Sequence, residues 1–344
     1  MDDTARPRSP ITYRYDKQLP APGGTIEVVP GVHWLRMPLP FALDHINVWL
    51  LADGEGYAAV DTGFALDPVR DAWRTALAGR RLTRSIVTHC HPDHLGLATW
   101  LEKETGAGLW ISQGDYLAAH MMVEQIAGYR IESMVEFFRR HGLEAARIDG
   151  LIQRGNGYKR GVPEIPSTYR RLFDGQRIDI GGCEWRTLVG HGHAPEHMSL
   201  YCAELGVLIS GDMLLPRIST NISVMASTPQ ADPLGLFLAS IDAFRALPAD
   251  TLVLPSHGRP FRGLHARIDQ LHAHHAERCE RLLAACRVQP RSAADLIAVL
   301  FDREIPDPHQ TMFAMGESIA HLNYLEHAGK LKRIEEDGLI CYTC

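Results

Sequence analysis

The sequence predicts an α+β fold in which helices cover β-sheet, followed by a small C-terminal unit. Short apolar runs, rich in β-branched and aromatic residues and separated by Gly, Pro and Asp, predict strands from residue 25 onward. Beyond residue 65 such runs alternate with segments of helical spacing, which is typical of a sheet covered by helices. Residues 290–344 contain two helical segments and a strand–turn–strand around Asp337 and Gly338, which predicts a winged-helix-like domain.

The composition limits the class of protein. The 344 residues are 45% hydrophobic and carry a formal net charge of -6. This charge argues against a protein that binds polyanions in general, and only a local basic patch could provide such binding. The 7 cysteines are odd in number and irregularly spaced, which argues against a disulfide framework. Because no apolar run approaches about 18 residues and none stands near the start, we expect a cytoplasmic protein without a signal peptide or membrane span.

The predicted elements follow in order. Residues 1–24 carry several prolines and form a predicted N-terminal arm, and the main domain covers residues 25–289. Its first strands are predicted at TIEVV, VHWLRMPL, HINVWLLAD and GYAAVDTG. A helix follows in LDPVRDAWRTALAG, because Asp67 and Pro68 stand at its start and Gly79 at its end. A strand, a helix and a strand are then predicted at SIVTH, PDHLGLATWLEKETG and GLWIS.

Residues 114–160 interrupt this alternation with a long helical insertion. The segment has helical periodicity and carries large apolar side chains: Met121, Met122, Ile126, Met134, Phe137 and Phe138. One interpretation is a set of helices that cover the core. The other is a lid that holds an adaptable apolar surface over a site.

The second half of the main domain repeats the pattern. Strands are predicted within YRRLFDGQRIDIGGCEWRTLVGH, MSLYCAELGVLISGD and TLVLPSHG, and helices in PLGLFLASIDAFRAL and RIDQLHAHHAERCERLLAAC. The last of these helices carries His272, His274, His275 and Arg278. No carboxylate is expected to converge on them, so we interpret them as a solvated face or a face packed on the C-terminal unit. In that unit, helices are predicted in SAADLIAVLF and HQTMFAMGESIAHLNYLEHAG.

Histidines and aspartates gather at the ends of predicted strands. THCHPDHLG follows a short apolar strand at residues 88–96 and holds three histidines and one aspartate. GHGHAPEH, SGD and PSHG each follow another buried strand and place a His or Asp in a Gly-flanked turn. Because α/β proteins carry their chemistry at the carboxyl ends of strands, these turns predict ligands that converge on one metal site.

The ordered set HxHxDH, GH, GD and SHG resembles the metallo-β-lactamase fold superfamily, whose members are hydrolases with a four-layer αββα sandwich. The resemblance covers roughly residues 25 to 290. It implies a first metal held by His89, His91 and His193, a second held by Asp93, His94 and His257, and Asp212 as the ligand that bridges them. In GHGHAPEH the family spacing GHTxxH fits His193 with His197, whereas Pro195 stands four places after His191. His193 is therefore the expected ligand, and His197 either supports the ligands or faces the substrate.

The resemblance also implies the chemistry. Imidazole and carboxylate ligands suit two divalent ions, Zn²⁺ first and Fe or Mn as alternatives. With Asp93, Asp212 and a bridging hydroxide the centre keeps a charge of about +1, which binds anions and stabilises an oxyanion. Asp93 and Asp212 are the expected catalytic carboxylates, and Asp93 also accepts and returns a proton. Asp61 in VDTG resembles the buried aspartate that supports the histidine loop, with a simple strand-end turn as the alternative. Cys90 is expected to point away from the site.

The sequence identifies the substrate less precisely than the metal ligands. Asp212 in SGDMLL points to the glyoxalase-II-like and lactonase-like branches, and the C-terminal unit resembles a group with acyl-thioester hydrolases and an endoribonuclease. One class of function is hydrolysis of a small-molecule thioester, ester or lactone, with an acyl-CoA-like compound among the candidates. A second is phosphodiester hydrolysis in RNA, and a third is a metal-binding regulator with little turnover.

Charge and apolar surface favour the carbonyl substrate. Residues 290–344 carry five Lys or Arg against nine Asp or Glu, a balance of -4, which makes a poor face for RNA. The apolar insertion suits an acyl chain. The C-terminal unit is then expected to pack on the main domain or to form a homodimer. Arg217, Ser219 and Asn221 are candidate substrate contacts, with a surface position as the alternative for Arg217.

Overall fold

The computed structural model describes residues 10–15, 17–301, 303, 305 and 307–344. Its first sheet has seven strands that lie side by side in chain order. The first four strands pair antiparallel and the last four pair parallel. They are β1 (Thr25–Val29), β2 (Val32–Pro38), β3 (His45–Asp53), β4 (Gly56–Val60), β5 (Arg81–Ile86), β6 (Leu109–Ser112) and β7 (Arg170–Leu172).

A second sheet of five strands faces the first. Its strands are β8 (Arg177–Ile180), β9 (Cys183–Gly190), β10 (His197–Cys202), β11 (Val207–Gly211) and β12 (Leu252–Pro255). They lie in the order β12-β11-β10-β9-β8, and only β11 and β12 pair parallel. A third sheet, β13-β15-β14, belongs to the C-terminal part and consists of β13 (Arg291–Ser292), β14 (Lys332–Glu336) and β15 (Leu339–Thr343).

Helices cover both outer faces of the sheet pair. They are α1 (Asp67–Ala76), α2 (Pro92–Leu95), α3 (Ala98–Thr105), α4 (Gln113–Val123), α5 (Ile131–Arg140), α6 (Ala145–Arg154), α7 (Gly157–Gly161), α8 (Pro233–Ala243), α9 (Leu264–Val288), α10 (Ile297–Phe301) and α11 (Pro308–His327). Helices α1 and α3 pack on the first sheet, and α8 and α9 pack on the second. The αββα order predicted from the family resemblance is therefore confirmed.

The space between the two sheets is filled by large apolar side chains. Trp34 and Trp49 of the first sheet meet Trp185 and Leu200 of the second, and each is at most 1% exposed. Alternate residues of the same strands point outward, so Leu35 and its neighbours pack under the helices instead. Because successive side chains of a strand point to opposite sides, the first sheet has two apolar faces. One face packs on the second sheet and the other packs on the helices.

One predicted helix of the main domain is interrupted. The single helix predicted over residues 92–106 is two helices, because α2 ends at Leu95 and α3 begins at Ala98. Gly96 lies at the break, where a Cβ atom would stand 2.4 Å from the Gly161 carbonyl oxygen and 2.7 Å from that of Gly63. The close approach of two distant backbone segments turns the chain there, and only glycine leaves room for it.

The insertion over residues 114–160 forms α4 to α7, with a short 3-10 turn at Ala127–Tyr129. Phe137, Phe138 and Leu151 are buried in the same apolar cluster as Leu322 and Leu325 of α11. Helices α5 and α6 therefore contribute to one apolar core together with the C-terminal unit. Opening of the insertion as a lid stays a prediction.

The C-terminal unit departs from its prediction at one helix. α10 begins at Ile297 rather than near Ser292, because the Ser292 and Asp295 side chains bond to each other's backbone N–H groups at 3.0 and 3.3 Å and form a turn. The predicted hairpin between β14 and β15 is present, with positive φ at Asp337 and Gly338. Winged-helix-like similarity stays a prediction, as do the boundaries drawn at residues 24 and 289.

The arm and the histidine-rich helix also have defined surroundings. From Pro10 the arm runs along the main domain, where Thr12 pairs with Arg262, and residues 1–9 lie outside the described residues. On α9, His275 is buried and its Nδ1 lies 3.1 Å from Nε2 of His321 in α11, so this face packs on the C-terminal unit. Among the described helices, none combines the length and apolar character that crossing a membrane requires.

We predict that Trp73→Phe destabilises the main domain by about 1–3 kcal/mol, because a buried carbonyl then loses its donor. The Trp73 indole is fully buried, and its Nε1–H donates to the Thr62 carbonyl at 2.7 Å. Urea unfolding at pH 7 measures the change. Trp100→Phe is the matched control on the same face, because Trp100 is only partly buried. Equal losses in the two variants would contradict the role given to the Trp73 hydrogen bond.

Candidate metal centre

Seven polar side chains from four loops meet at one end of the sheet pair in two adjacent groups. The ligand atoms within each group all lie within 4.8 Å of one another. The first group is His89, His91, His193 and Asp212, and the second is Asp93, His94 and His257. The structure thus brings together all seven residues that the resemblance selected, with Asp212, the expected bridge, in the first group. Their role as ligands stays a prediction.

Each loop leaves the carboxyl end of a strand. The loop after β5 carries the first histidines and runs into α2, whose first turn holds Asp93 and His94. His193 lies in the turn between β9 and β10, Asp212 directly follows β11, and His257 closely follows β12. Because β11 and β12 are fully buried, the backbone that leads to Asp212 and His257 is held by the second sheet rather than by the loops themselves.

Asp212 lies between the two groups and turns one carboxylate oxygen toward each. Its Oδ2 is 3.3 Å from Nε2 of His193 in the first group. Its Oδ1 is 3.7 Å from Nε2 of His94 and 3.5 Å from Nε2 of His257 in the second. This arrangement is compatible with a carboxylate shared by two cations.

Hydrogen bonds at Nδ1 fix the orientation of three histidine rings. His193 Nδ1 donates to the Asn221 carbonyl at 2.7 Å, and His257 Nδ1 donates to the His45 carbonyl at 2.8 Å. His94 Nδ1 lies 2.8 Å from Asp61 Oδ2. With Nδ1 held in this way, each Nε2 is directed into the cluster, and it becomes a lone-pair donor whenever its ring is neutral.

Asp61 forms hydrogen bonds with this loop. Its carboxylate accepts from the Thr88 backbone N–H at 2.8 Å and from the Thr88 hydroxyl at 3.0 Å, in addition to its contact with His94. The Thr88 hydroxyl is also 3.0 Å from His89 Nδ1. Asp61 is 1% exposed and adopts a φ of 67°, a strained conformation that persists where surrounding contacts fix it.

Burial and neighbouring charges shift the protonation of the cluster in opposite directions. Burial lowers the pKa of His91 to about 3 and that of His89 well below its usual value. Burial also acts to lower the pKa of His94, but Asp61, Asp93 and Asp212 outweigh it and raise this pKa to about 9. The second group therefore attracts positive charge, while His89 and His91 of the first group stay neutral and able to donate lone pairs.

The donor set fits divalent cations. His94 Nε2 and Asp212 Oδ1 are buried atoms without a hydrogen-bond partner, and both point into the cluster. Buried polar atoms of this kind normally have partners, so their lone pairs indicate a ligand. Imidazole nitrogens with carboxylate oxygens are the ligands that zinc and similar ions take in proteins.

The remaining candidate residues have other surroundings. His197 is buried, and its Nε2 accepts from the Asp212 backbone N–H at 3.1 Å, so it supports a ligand rather than facing a substrate. Asn221 offers its carbonyl to His193, and its side chain contacts Glu317. Arg217 is exposed, with its guanidinium 5.4 Å from the centre of the Tyr13 ring. Cys90 is buried in an apolar cluster, as expected.

Sequence reasoning missed two residues that join the loops. Asn47 in β3 donates to the carbonyls of Pro255 and Gly258 at 2.8 and 3.0 Å, on either side of His257. A lone amide in the apolar run HINVWLLAD was the signal that could have identified it. Asp115 accepts from the backbone N–H groups of Cys90 and Glu196, both at 2.8 Å, and so links the first and second histidine loops.

Comparisons with known proteins agree with this fold. Residues 42–257 match the model of the metallo-beta-lactamase superfamily, and residues 279–344 match that of the metallo-beta-lactamase-like, C-terminal domain. A beta-lactamase domain protein from Burkholderia ambifaria has a similar solved structure, with 45% sequence identity, a TM-score of 0.91 and coverage of 97% of this chain and 98% of that chain.

Curated relatives are more distant. The probable metallo-hydrolase YqjP of Bacillus subtilis is 23% identical over 303 residues, which cover 85% of this chain and 91% of that relative. A hydroxyacylglutathione hydrolase of Albidiferax ferrireducens is 25% identical over 224 residues, which cover 64% of this chain and 65% of that relative.

We predict that Asp61→Asn weakens divalent-metal binding by about 10- to 100-fold, because His94 loses the charged acceptor that orients its ring. Asparagine tolerates the positive φ of this position, so the substitution tests charge rather than backbone strain. Competition with a zinc chelator measures the affinity. Asp53→Asn is the control, since Asp53 is an acceptor for Thr83 and Arg84. An unchanged affinity in Asp61→Asn would contradict this role.

Two histidines of one turn make a second matched test. We predict that His193→Ala lowers the metal content per chain, while His191→Ala leaves it within about 10% of the parent, because outer residues that touch no ligand contribute little. The His191 Nδ1 bonds to the Pro195 carbonyl at 2.7 Å, outside the cluster. Metal analysis after dialysis gives the readout. Loss of metal in His191→Ala alone would show that the turn was aligned wrongly.

Proposed function

The chain belongs to the metallo-beta-lactamase superfamily, and from that premise we propose that it is a hydrolase with two divalent ions that cleaves a small carbonyl substrate. The carbonyl belongs to a thioester, an ester or a lactone. Zinc is the preferred ion, because its usual ligands are the imidazoles and carboxylates that the cluster offers. The relative named as a probable metallo-hydrolase supports the reaction class.

One observation carries the proposal of two ions. The two oxygens of Asp212 face different groups, with His193 on one side and His94 and His257 on the other. A single-ion site gains nothing from a buried carboxylate that divides its oxygens in this way, and such a carboxylate is costly to bury without cations. The seven donor residues form two groups that both face the carboxylate of Asp212. This division supports a two-ion centre.

The residues have separate tasks in the proposed reaction. Two bound ions would supply a Lewis acid for the carbonyl oxygen and a water of lowered pKa. Asp93 accepts and returns the proton, since its side chain is 19% exposed while that of Asp212 is 10% exposed. His257 and His94 hold Asp93 in its ionised form: burial acts to raise its pKa, but the two imidazoles lower it to about 2.

Asp212 and His197 hold the geometry. Asp212 fixes the separation of the two ligand groups, and its backbone N–H is held by His197 at 3.1 Å. Because His197 is fully buried, burial lowers its pKa well below the usual value and leaves it neutral, so its Nε2 remains an acceptor. The backbone of Asp212 is therefore held in place by the uncharged ring of His197.

The preference for a carbonyl over RNA rests on charge and surface. The C-terminal residues 290–344 carry the balance of -4 given above, which disfavours a polyanion. This unit packs on the main domain through α9 and the insertion, which supports the packing role over a homodimer interface. The distant hydroxyacylglutathione hydrolase supports the glyoxalase-II-like branch and a thioesterase activity.

The proposal is tested with metal-analysed protein on a panel of substrates. The panel holds acyl-CoA and glutathione thioesters, lactones, a cephalosporin and single-stranded RNA. We expect turnover of at least one thioester, ester or lactone that is lost with a chelator and returns with zinc. Turnover of RNA alone would replace the carbonyl proposal by the phosphodiesterase alternative. No turnover by fully loaded protein would favour a metal-binding regulator.

We predict that Asp212→Asn lowers kcat/KM for the best substrate by at least about 100-fold, because the ligand shared by the two groups loses its charge. Metal content should fall from two ions per chain toward one. Steady-state kinetics and metal analysis on the same preparation measure both. Full activity with two ions bound would contradict the bridging role.

A further inference from the structure

A buried carboxylate of the C-terminal unit lies close to the loop that supports the metal centre. Glu317 of α11 has a side chain that is 6% exposed, and burial acts on its pKa by raising it. One of its oxygens is paired with the Arg278 guanidinium of α9. The other accepts from Asn221 Nδ2 at 3.0 Å. A buried charge is costly unless all its partners are satisfied, so this contact with Asn221 is a fixed feature of the fold.

Asn221 connects this carboxylate to a predicted ligand. Its backbone carbonyl accepts from His193 Nδ1 at 2.7 Å, while its side chain is held by Glu317 and by the Ser223 hydroxyl at 2.7 Å. The residue thus has its carbonyl directed at the metal centre and its amide directed at α11. A change in the side-chain contact alters the direction of the carbonyl through the shared backbone.

Helix α11 contacts the same loop at a second point. The Val224 backbone N–H donates to the Gly316 carbonyl at 3.1 Å. A Cβ atom at Gly316 would stand 2.6 Å from the Ser223 hydroxyl oxygen, so helix and loop are in direct contact there. The loop is therefore held by consecutive residues of α11 rather than by one isolated bond.

The other oriented histidines are supported within the main domain. His257 is held by the His45 carbonyl and His94 by Asp61, both of which belong to the first sheet and its loops. His193 differs, because the residue that accepts from it is held by the C-terminal unit. The first ligand group thus depends on contacts with residues 290–344 in a way that the second does not.

We propose that Glu317 is a positioning residue for the metal centre, which acts through Asn221 to orient His193. The inference rests on the proposed function, since it requires that the first ligand group hold an ion whose binding Glu317 supports. The C-terminal unit then completes the metal centre without supplying a ligand. Loss of the Glu317 contact weakens the ion at the His193 group and leaves the ion at the His257 group in place.

The test removes the contact without leaving an unpaired charge. In Glu317→Leu with Arg278→Leu both charges of the pair are lost, and such replacements keep buried positions packed. Asn221→Ala removes the same contact from the other side and keeps the backbone carbonyl. Glu317→Gln keeps an oxygen acceptor for Asn221. Asn323→Ala is the matched control: it removes a buried amide of α11 that holds the carbonyls of Pro229 and Ala231.

The readouts are zinc affinity by chelator competition, zinc per chain and thermal unfolding of the metal-free protein. We expect the charge-free pair and Asn221→Ala to retain one tightly bound ion and to bind the other about 10- to 100-fold more weakly. Glu317→Gln restores most of the affinity. Asn323→Ala lowers the unfolding temperature but keeps both ions.

Two results would overturn the inference. One is a folded charge-free pair that holds both ions as tightly as the parent. The other is an equal loss of affinity in Asn323→Ala, which would assign the effect to helix packing. A parent that binds metal but hydrolyses no substrate counts against the proposed function alone, because the ranking of the variants in zinc affinity still decides the role of Glu317.

Discussion

The need to compensate two buried carboxylates and a third that is partly buried governs the arrangement of this protein. Asp61, Asp93 and Asp212 lie close together at one end of the sheet pair, and each contacts a histidine nitrogen at 2.8 to 3.7 Å. Negative charge in a site removed from water is strongly unfavourable unless cations or hydrogen-bond donors lie beside it. Histidine nitrogens surround these carboxylate oxygens. They are placed there by the strands and loops and by the hydrogen bonds at Nδ1. The fold therefore holds several charged side chains close together at one end of the sheet pair.

The sequence was sufficient to select the clustered side chains, for a local reason. Each stands in a short polar turn directly after an apolar strand, and strand ends in such folds meet on one side. The family spacing GHTxxH, applied to GHGHAPEH, also separated His193 from His191, which lies outside the cluster. Asp61 was identified because VDTG after β4 resembles the segment that carries the family's buried aspartate. Motif and hydrophobic pattern together carried this information.

The residues behind the cluster could not be selected in that way. Asn47 lies in a strand whose signal is apolar, and Asp115 and Glu317 lie in helices, where a charged side chain normally faces solvent. Their partners are tens to hundreds of residues away in the chain, so only the folded structure brings them together. The break at Gly96 has the same origin, since the backbone segments that crowd it are at Gly63 and Gly161. Contacts between distant segments therefore set both the limits of the elements and the support of the site.

The amide of Asn47 has a consequence for the order in which the molecule is assembled. It also accepts from the Trp34 indole at 2.8 Å, so one side chain joins the interior of the first sheet to the backbone around the last histidine. Some two hundred residues separate these segments, and they meet only when the second sheet has docked. A nascent chain therefore cannot assemble the full set of donors until its distal strand has been made and folded. Metal binding at this cluster would then follow acquisition of the tertiary structure and would not guide it.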